Sequence, residues 1–131
     1  MIVLDTNALI YLVGNPEKLP QKAAKYINSE IKKNGIHVSS MSIWEIYLLV
    51  KKGRLELSKD VDAWLEEVEQ LKFINFVPVN NIIAAKSVQL SETVGRDPAD
   101  RIIAATAVEM GATLITSDQR IRKYPHVQSV W

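Results

Sequence analysis

The chain has 131 residues, 47% of them apolar and 24% charged, with 16 Lys and Arg against 15 Asp and Glu. That is the size of one domain with a substantial core. A net charge of +1 gives no bulk attraction to nucleic acid, so any such binding must use local patches. There is no cysteine, which excludes disulfides and thiolate metal sites, and His37 and His126 are too few and too far apart for a zinc site. A metal here must be held mostly by oxygen.

Ile2–Leu4 is a short apolar run ended by Asp5-Thr6-Asn7, which predicts a first strand followed by a capped helix rather than a signal peptide. That helix carries Leu9, Ile10, Leu12 and Val13 and stops before Gly14-Asn15-Pro16. Pro20 opens a second helix, with Ala23, Ala24, Ile27 and Ile31 on one face and Asn34-Gly35 at its end. Ile36–Ser39 reads as the second strand, and Ser42 to Lys52 as a helix closed by Gly53. Val61, Trp64, Leu65, Val68 and Leu71 lie at helical spacing.

The third strand is predicted at Phe76–Val79, with Pro78 marking an end or edge position. Asn80–Leu90 follows as a helix and Glu92–Arg96 as a polar loop. Pro98–Met110 is apolar on most sides, so a helix there is expected to lie buried between layers, with Gly111 ending it. Thr113–Thr116 is the fourth strand, Asp118 starts a short helix, and Val127–Trp131 is a last strand. Strands alternating with helices predict a single domain over 1–131: an α/β fold, a three-layer α/β/α sandwich with a mainly parallel central sheet. No apolar run approaches the ~20 residues of a membrane helix, and a cytoplasmic location is expected.

Four acidic residues, Asp5, Glu45, Asp100 and Asp118, each stand where an apolar run gives way to a helix-start signal. Each has a structural explanation. Asp5 and Asp118 suit helix caps, Ser42-x-x-Glu45 is a capping-box pattern, and Asp100 is a favourable first-turn charge in a helix capped by Asp97 with Pro98 after it. Together they suggest more. In parallel sheets, ligand sites form outside the carboxyl ends of the strands, where such residues converge. Two unit charges ~4 Å apart repel by roughly 4 kcal/mol at an effective dielectric near 20. A cluster therefore calls for protons or a hard divalent cation with oxygen ligands, and metal-assisted attack on a phosphodiester is the first chemistry to consider. Asp100, on the apolar helix, is the better ligand; Asp97 has a sufficient role as the cap.

These residues also carry a resemblance. The stretches LDTNALIYL (4–12), SSMSIWEI (39–46), RDPADRIIAATA (96–107) and LITSD (114–118), with Tyr124 and Val130-Trp131 near the end, resemble the PIN domain and, within it, the VapC toxins of prokaryotic toxin–antitoxin pairs. The resemblance runs end to end. It implies a metal-dependent endoribonuclease restrained by a cognate antitoxin, with Asp5, Glu45, Asp100 and Asp118 as the acidic quartet. Thr116 matches a hydroxyl residue found near that pocket, and Asn7 stands where close relatives often have His. Mg²⁺ or Mn²⁺ would then lie between Asp5, Asp100 and Asp118, with Glu45 either at a second metal position or orienting the attacking water.

An RNA substrate, tRNA or another structured RNA among the candidates, needs cations around an acidic pocket. Lys51, Lys52 and Arg54, then Arg96 and Arg101, then Arg120, Arg122 and Lys123 each follow a motif. Arg101 has the alternative of pairing with Asp97 or another acid. The Ser42–Lys52 helix is apolar on more than one face (Ile43, Ile46, Tyr47 and Val50, but also Trp44, Leu48 and Leu49), so part of it is expected to meet a second copy, as a homodimer or higher oligomer, or an antitoxin segment.

Two rivals fit poorly. A phospho-receiver wants a phosphoacceptor Asp at the end of a middle strand, and a haloacid-type phosphatase wants an Asp where Asn7 stands. A noncatalytic RNA- or protein-binding module on the same fold is the serious alternative, but such a module is expected to have lost an acidic residue.

Overall fold

The computed structural model describes residues 1–131. Five parallel strands, β1 (Ile2–Leu4), β2 (Ile36–Ser39), β3 (Ile74–Val77), β4 (Thr113–Ile115) and β5 (Ser129–Val130), form one sheet in the order β3-β2-β1-β4-β5. Seven α-helices connect them: α1 (Thr6–Gly14), α2 (Gln21–Ile31), α3 (Ser40–Lys51), α4 (Val61–Glu69), α5 (Asn81–Gln89), α6 (Pro98–Met110) and α7 (Gln119–Lys123). The expected α/β/α sandwich is what forms.

The strand order dictates the layers. Right-handed crossovers stepping from β1 to β2 to β3 place α1–α4 on one face; the return from β3 to β4 reverses direction and places α5–α7 on the other. The side chains agree. Ile2, Leu4, Ile36 and Val38 join Leu9, Ile27, Ile46, Trp64 and Val68 in one core. Val3 and Leu114 point oppositely and pack with Ile103, Ala104, Ala107 and Ile121. Period-two alternation in strands only three or four residues long thus feeds two cores at once.

Small residues let α6 lie close against the sheet. Ala99, Ala104, Ala105 and Ala107 are buried, and the helix contacts β1, β2 and β4 as well as α3 and α5. It is the buried central helix its sequence predicts. Gly111 ends it at φ 62°, a left-handed position that a side chain would strain.

The last two strands are shorter than the sequence predicts, Thr113–Ile115 for Thr113–Thr116 and Ser129–Val130 for Val127–Trp131, and three other differences matter more for the site. β3 begins at Ile74, which pairs with Ile36, and stops before Pro78, whose missing N–H cannot extend the ladder; β3 is indeed an edge strand. Residues 92–94 form a 3₁₀ turn with Val94 buried, rather than a plain polar loop. Most consequentially, α3 starts at Ser40 with Ser39 as its cap, the Ser39 hydroxyl accepting from Met41 N–H at 3.0 Å. Ser42 therefore lies inside the helix and Ser42-x-x-Glu45 is not a capping box. Glu45 is left free for another task.

Candidate active site at the carboxyl ends of the central strands

The sheet changes winding direction between β1 and β4, the position at which open α/β sheets form their ligand crevice. Asp5 follows β1 directly, Asp118 stands just beyond β4, Glu45 lies in the second turn of α3, and Asp100 in the first turn of α6. Four segments far apart in sequence thus deliver carboxylates to one crevice. Oxygens of Glu45, Asp97 and Asp100 all come within 4.8 Å of one another. Asp118 lines the same cleft, of about 240 Å³, together with Asp97, Asp100, Arg96 and Arg120.

Asp97 joins the cluster against the expectation that capping is its whole task. It does cap α6, its Oδ1 accepting from Asp100 N–H at 3.0 Å, but a carboxylate has two oxygens. The same division holds elsewhere. Asp5 Oδ1 accepts from Ala8 N–H at 2.7 Å, and Asp118 Oδ1 from Arg120 and Ile121 N–H at 2.9 and 3.1 Å. Capping fixes each side chain and, at Asp97, leaves an oxygen for the cluster, while Asp5 is held further by Thr116 and Ser117. Cap and ligand are compatible roles.

The electrostatics carry the mark of the crowding. Asp100 is pushed up to about 7, chiefly by burial, then by the negative charges of Asp97, Glu45, Asp118 and Asp5 in that order. Asp5 is also raised by burial and by Glu45, against the lowering effect of the Ala8 N–H and of the polar groups of Thr116 and Ser117. Asp100 is therefore the hub that all the other acids face. Such a donor set, carboxylates without His or Cys, fits a hard divalent cation, which would relieve the repulsion.

Around this hub, Thr116 is buried and accepts from Asp118 N–H at 3.1 Å, so its hydroxyl lies between Asp118 and the Asp5 carboxylate. Asn7 is exposed and makes no side-chain hydrogen bond, so the structure does not join it to the cluster. One residue escaped the sequence reading. The Thr6 hydroxyl donates to Glu45 Oε1 at 2.5 Å and touches the Ser42 hydroxyl at 3.2 Å, holding Glu45 from across the crevice. Its only sequence signal was its place directly after Asp5, where a helix-start reading absorbed it.

Arg101 corrects a second expectation. It neither pairs with Asp97 nor faces the crevice. Its guanidinium donates to five backbone carbonyls: Ser87 at 3.0 Å, Val88 at 3.4 Å, Leu90 at 2.5 Å, Ser91 at 3.3 Å and Gly95 at 2.7 Å. Helices leave their last carbonyls without intrahelical partners and favour cations there, and Arg101 serves the end of α5 in that way. It also ties down the segment leading to Arg96 and Asp97, the rim of the cleft. Gly95 in that segment adopts φ 96°, and a Cβ there would lie 3.1 Å from an Arg120 guanidinium nitrogen, so only glycine lets Arg120 lie across the rim unhindered.

A five-stranded parallel sheet with helices on both faces and a carboxylate cluster at its switch point defines the class: an α/β protein with a site suited to a hard cation. The family description of the PIN domain matches residues 2–127, and the chain belongs to that family. It is 30% identical over 129 residues to Ribonuclease VapC22 of Mycobacterium tuberculosis, a match spanning 98% of this chain and 95% of the relative. Among solved structures it resembles FitAcB from Neisseria gonorrhoeae, with a TM-score of 0.69 and 26% identity over 100% of this chain and 97% of that one. VapBC2 from Rickettsia felis, bound to a DNA fragment from its promoter, shares the fold with a TM-score of 0.71 at 21% identity, covering 99% of this chain and 98% of that one. No helix is long and apolar enough to cross a membrane.

Proposed function

We propose that this protein is a metal-dependent endoribonuclease, the toxin of a toxin–antitoxin pair, that cleaves RNA phosphodiesters by attack of an activated water. The observation that carries this reading is the convergence of Glu45, Asp97 and Asp100 oxygens within 4.8 Å, with Asp5 and Asp118 facing Asp100. The named relative is a ribonuclease, which supports RNA as the substrate. Asp100, whose carboxylate caps no helix, together with Asp5 and Asp118 would hold Mg²⁺ or Mn²⁺, and the structure adds Asp97 to the candidates. When bound, the cation supplies charge neutralisation and acidifies water in the crevice.

The chain's own groups do the rest. Glu45 has one oxygen anchored by Thr6, which leaves the other oriented to take a proton from the attacking water. Thr116 keeps Asp5 and Asp118 in register. Arg96 and Arg120 stand on the rim, where a phosphate diester would otherwise meet only negative charge. A noncatalytic binding module has no use for this many mutually repelling carboxylates.

The test is cleavage of structured RNAs, tRNA included, beside DNA, with and without Mg²⁺ or Mn²⁺. Cleavage of RNA that needs the cation and disappears in Asp5→Asn, with the fold retained by circular dichroism, is the expected result. Metal-dependent cleavage surviving in that variant would sink the assignment.

The partner reading gains support from α3. Only Ser42 and Ile46 are buried in it, and Trp44 is 52% exposed, so the helix is not internal as its apolar faces allowed. Trp44, Tyr47, Leu48 and Val50 form with Val61 an apolar cleft of about 330 Å³. We read this face as the contact of a homodimer, with the antitoxin a further partner of the assembly. Trp44→Glu should turn a dimer into a monomer in sedimentation while shifting domain stability by no more than about 0.5 kcal/mol. A wild-type chain that stays monomeric at high concentration would exclude the homodimer.

A further inference from the structure

The strongest feature outside the acidic crevice is a cleft of about 400 Å³ along the β5 edge of the sheet, lined by Lys22 and Tyr26 of α2, Arg122 of α7, and Tyr124, Gln128 and Ser129 beyond it. No carboxylate lines it. In a chain with 16 cationic and 15 acidic side chains, that is a local imbalance of sign. Neither cation is already engaged. The ion pairs of the protein are those of the Met1 amine with Glu30, Lys59 with Glu67 and Lys86 with Glu109, and neither the Lys22 nor the Arg122 side chain donates a hydrogen bond. Two free cations with two tyrosines, of which Tyr26 is 41% exposed, match a segment that offers both phosphate charge and a flat ring.

The cleft is also tied to the crevice by one short helix. Asp118 caps α7 from within the acidic site, Arg120 in its first turn lines the acidic cleft, and Arg122 in its last turn lines the cationic one. Residues two apart on a helix point to nearly opposite sides, so α7 presents one guanidinium to each cleft. The rise from residue 118 to 122 along the helix is only about 6 Å, so a strand leaving the acidic crevice has one short helix to cross before it meets the second cleft.

We propose that the β5-edge cleft is a second binding site for single-stranded RNA, which seats backbone phosphates on Lys22 and Arg122 and bases against Tyr26 and Tyr124. Here the strand would run beyond the scissile position after passing Arg120. An acidic peptide is the competing occupant of such a cleft. RNA is favoured because a continuous polymer in the acidic crevice is carried over α7 into it. The inference rests on the ribonuclease reading only for what occupies the crevice; the cleft itself is a matter of binding.

Lys22→Ala with Arg122→Ala tests it, since neither side chain lines the acidic crevice. Binding of a single-stranded RNA of about 16 nucleotides, measured by fluorescence anisotropy without divalent cation, should weaken, and its log–log salt slope should fall by about 1.4, two phosphates at ~0.7 each. With Mg²⁺ or Mn²⁺, KM for that RNA should rise several-fold with kcat unchanged. An oligonucleotide of about 4 nucleotides, too short to reach the cleft, should be cut with unaltered KM. An unchanged salt slope overturns the proposal. So does loss of a fluorescent polyglutamate peptide in the double variant while RNA binding stays intact. If the wild type cuts no RNA with either cation but the slope still falls, the nuclease reading fails and the binding site stands.

Discussion

Asp100→Asn should abolish metal-dependent RNA cleavage and, in the same experiment series, stabilise the metal-free protein at neutral pH. Both effects come from one carboxyl group. Asp100 is the acid that Asp97, Glu45, Asp118 and Asp5 all face, so its loss removes the central donor for a cation, and kcat should fall by at least ~10³, about 4 kcal/mol of barrier. Its pKa in the folded protein is about 7, against an ordinary value of 3.8 in the unfolded chain. The folded state therefore binds the proton more tightly. The stability Asp100 contributes is fully present below pH 3.8 and is lost as pH rises through about 7.

Asparagine has no such loss. The variant should melt higher than the wild type at pH 8 and show no such gain at pH 4. Because Asp100 is only partly buried, solvent screening limits the gain to about 1 kcal/mol, or about 3 °C. Added Mg²⁺ or Mn²⁺ should raise the wild-type melting temperature at pH 8 and act weakly at pH 4, where the proton holds the site; in the variant that response should shrink. Differential scanning fluorimetry across pH, with and without cation, reads all of this. A variant no more stable than wild type at pH 8 would show that the carboxylates do not repel one another as the geometry indicates.

Arg101→Ala is the larger perturbation of the fold. Hydrogen bonds from a charged donor contribute about 1.5–3 kcal/mol each, though five sharing one guanidinium do not add in full. The partly buried carbonyls of Ser87, Leu90, Ser91 and Gly95 lose their donor together, and the end of α5 loses its cation. A loss of about 3–4 kcal/mol is expected, which lowers the melting temperature by about 10–15 °C. Arg101→Lys should recover only part, because an ammonium with three donors cannot reproduce a planar five-donor fork. A loss below about 1 kcal/mol in chemical denaturation would show that water replaces the guanidinium, and that the rim of Gly95, Arg96 and Asp97 is held by something else.

These two neighbours on α6 mark where the sequence could and could not be read. Asp100 was legible because it stands in the first turn of a helix rich in apolar residues, the most deeply buried of the chain, where an ionisable group needs a partner. Arg101 was misread as a cation for an acid or a phosphate, because its partners are backbone carbonyls, and no letter of a sequence reports which way a carbonyl points. The Ser42–Glu45 pair failed for a related reason. Capping boxes are recognised by spacing, but the register of α3 is set by Ser39 turning straight out of β2, one tertiary pairing upstream.

Asp97 shows the limit from the other side: its role as the cap of α6 was read from Asp97-Pro98, and its second oxygen became relevant only when α3 brought Glu45 opposite. Thr6 and Glu45 are 39 residues apart, and no local pattern links them. What the sequence by itself determined is therefore everything that rests on short-range periodicity and strand-to-helix punctuation: the alternation of elements, the two-faced strands, the buried α6 and the four acids at their junctions. The tertiary structure alone decided which oxygens converge, which cations remain free and which are consumed by the backbone. Those outcomes depend on side-chain directions across separate elements, 36 to 39 residues apart for Thr6 with Ser42 and Glu45, which packing selects and local sequence does not encode.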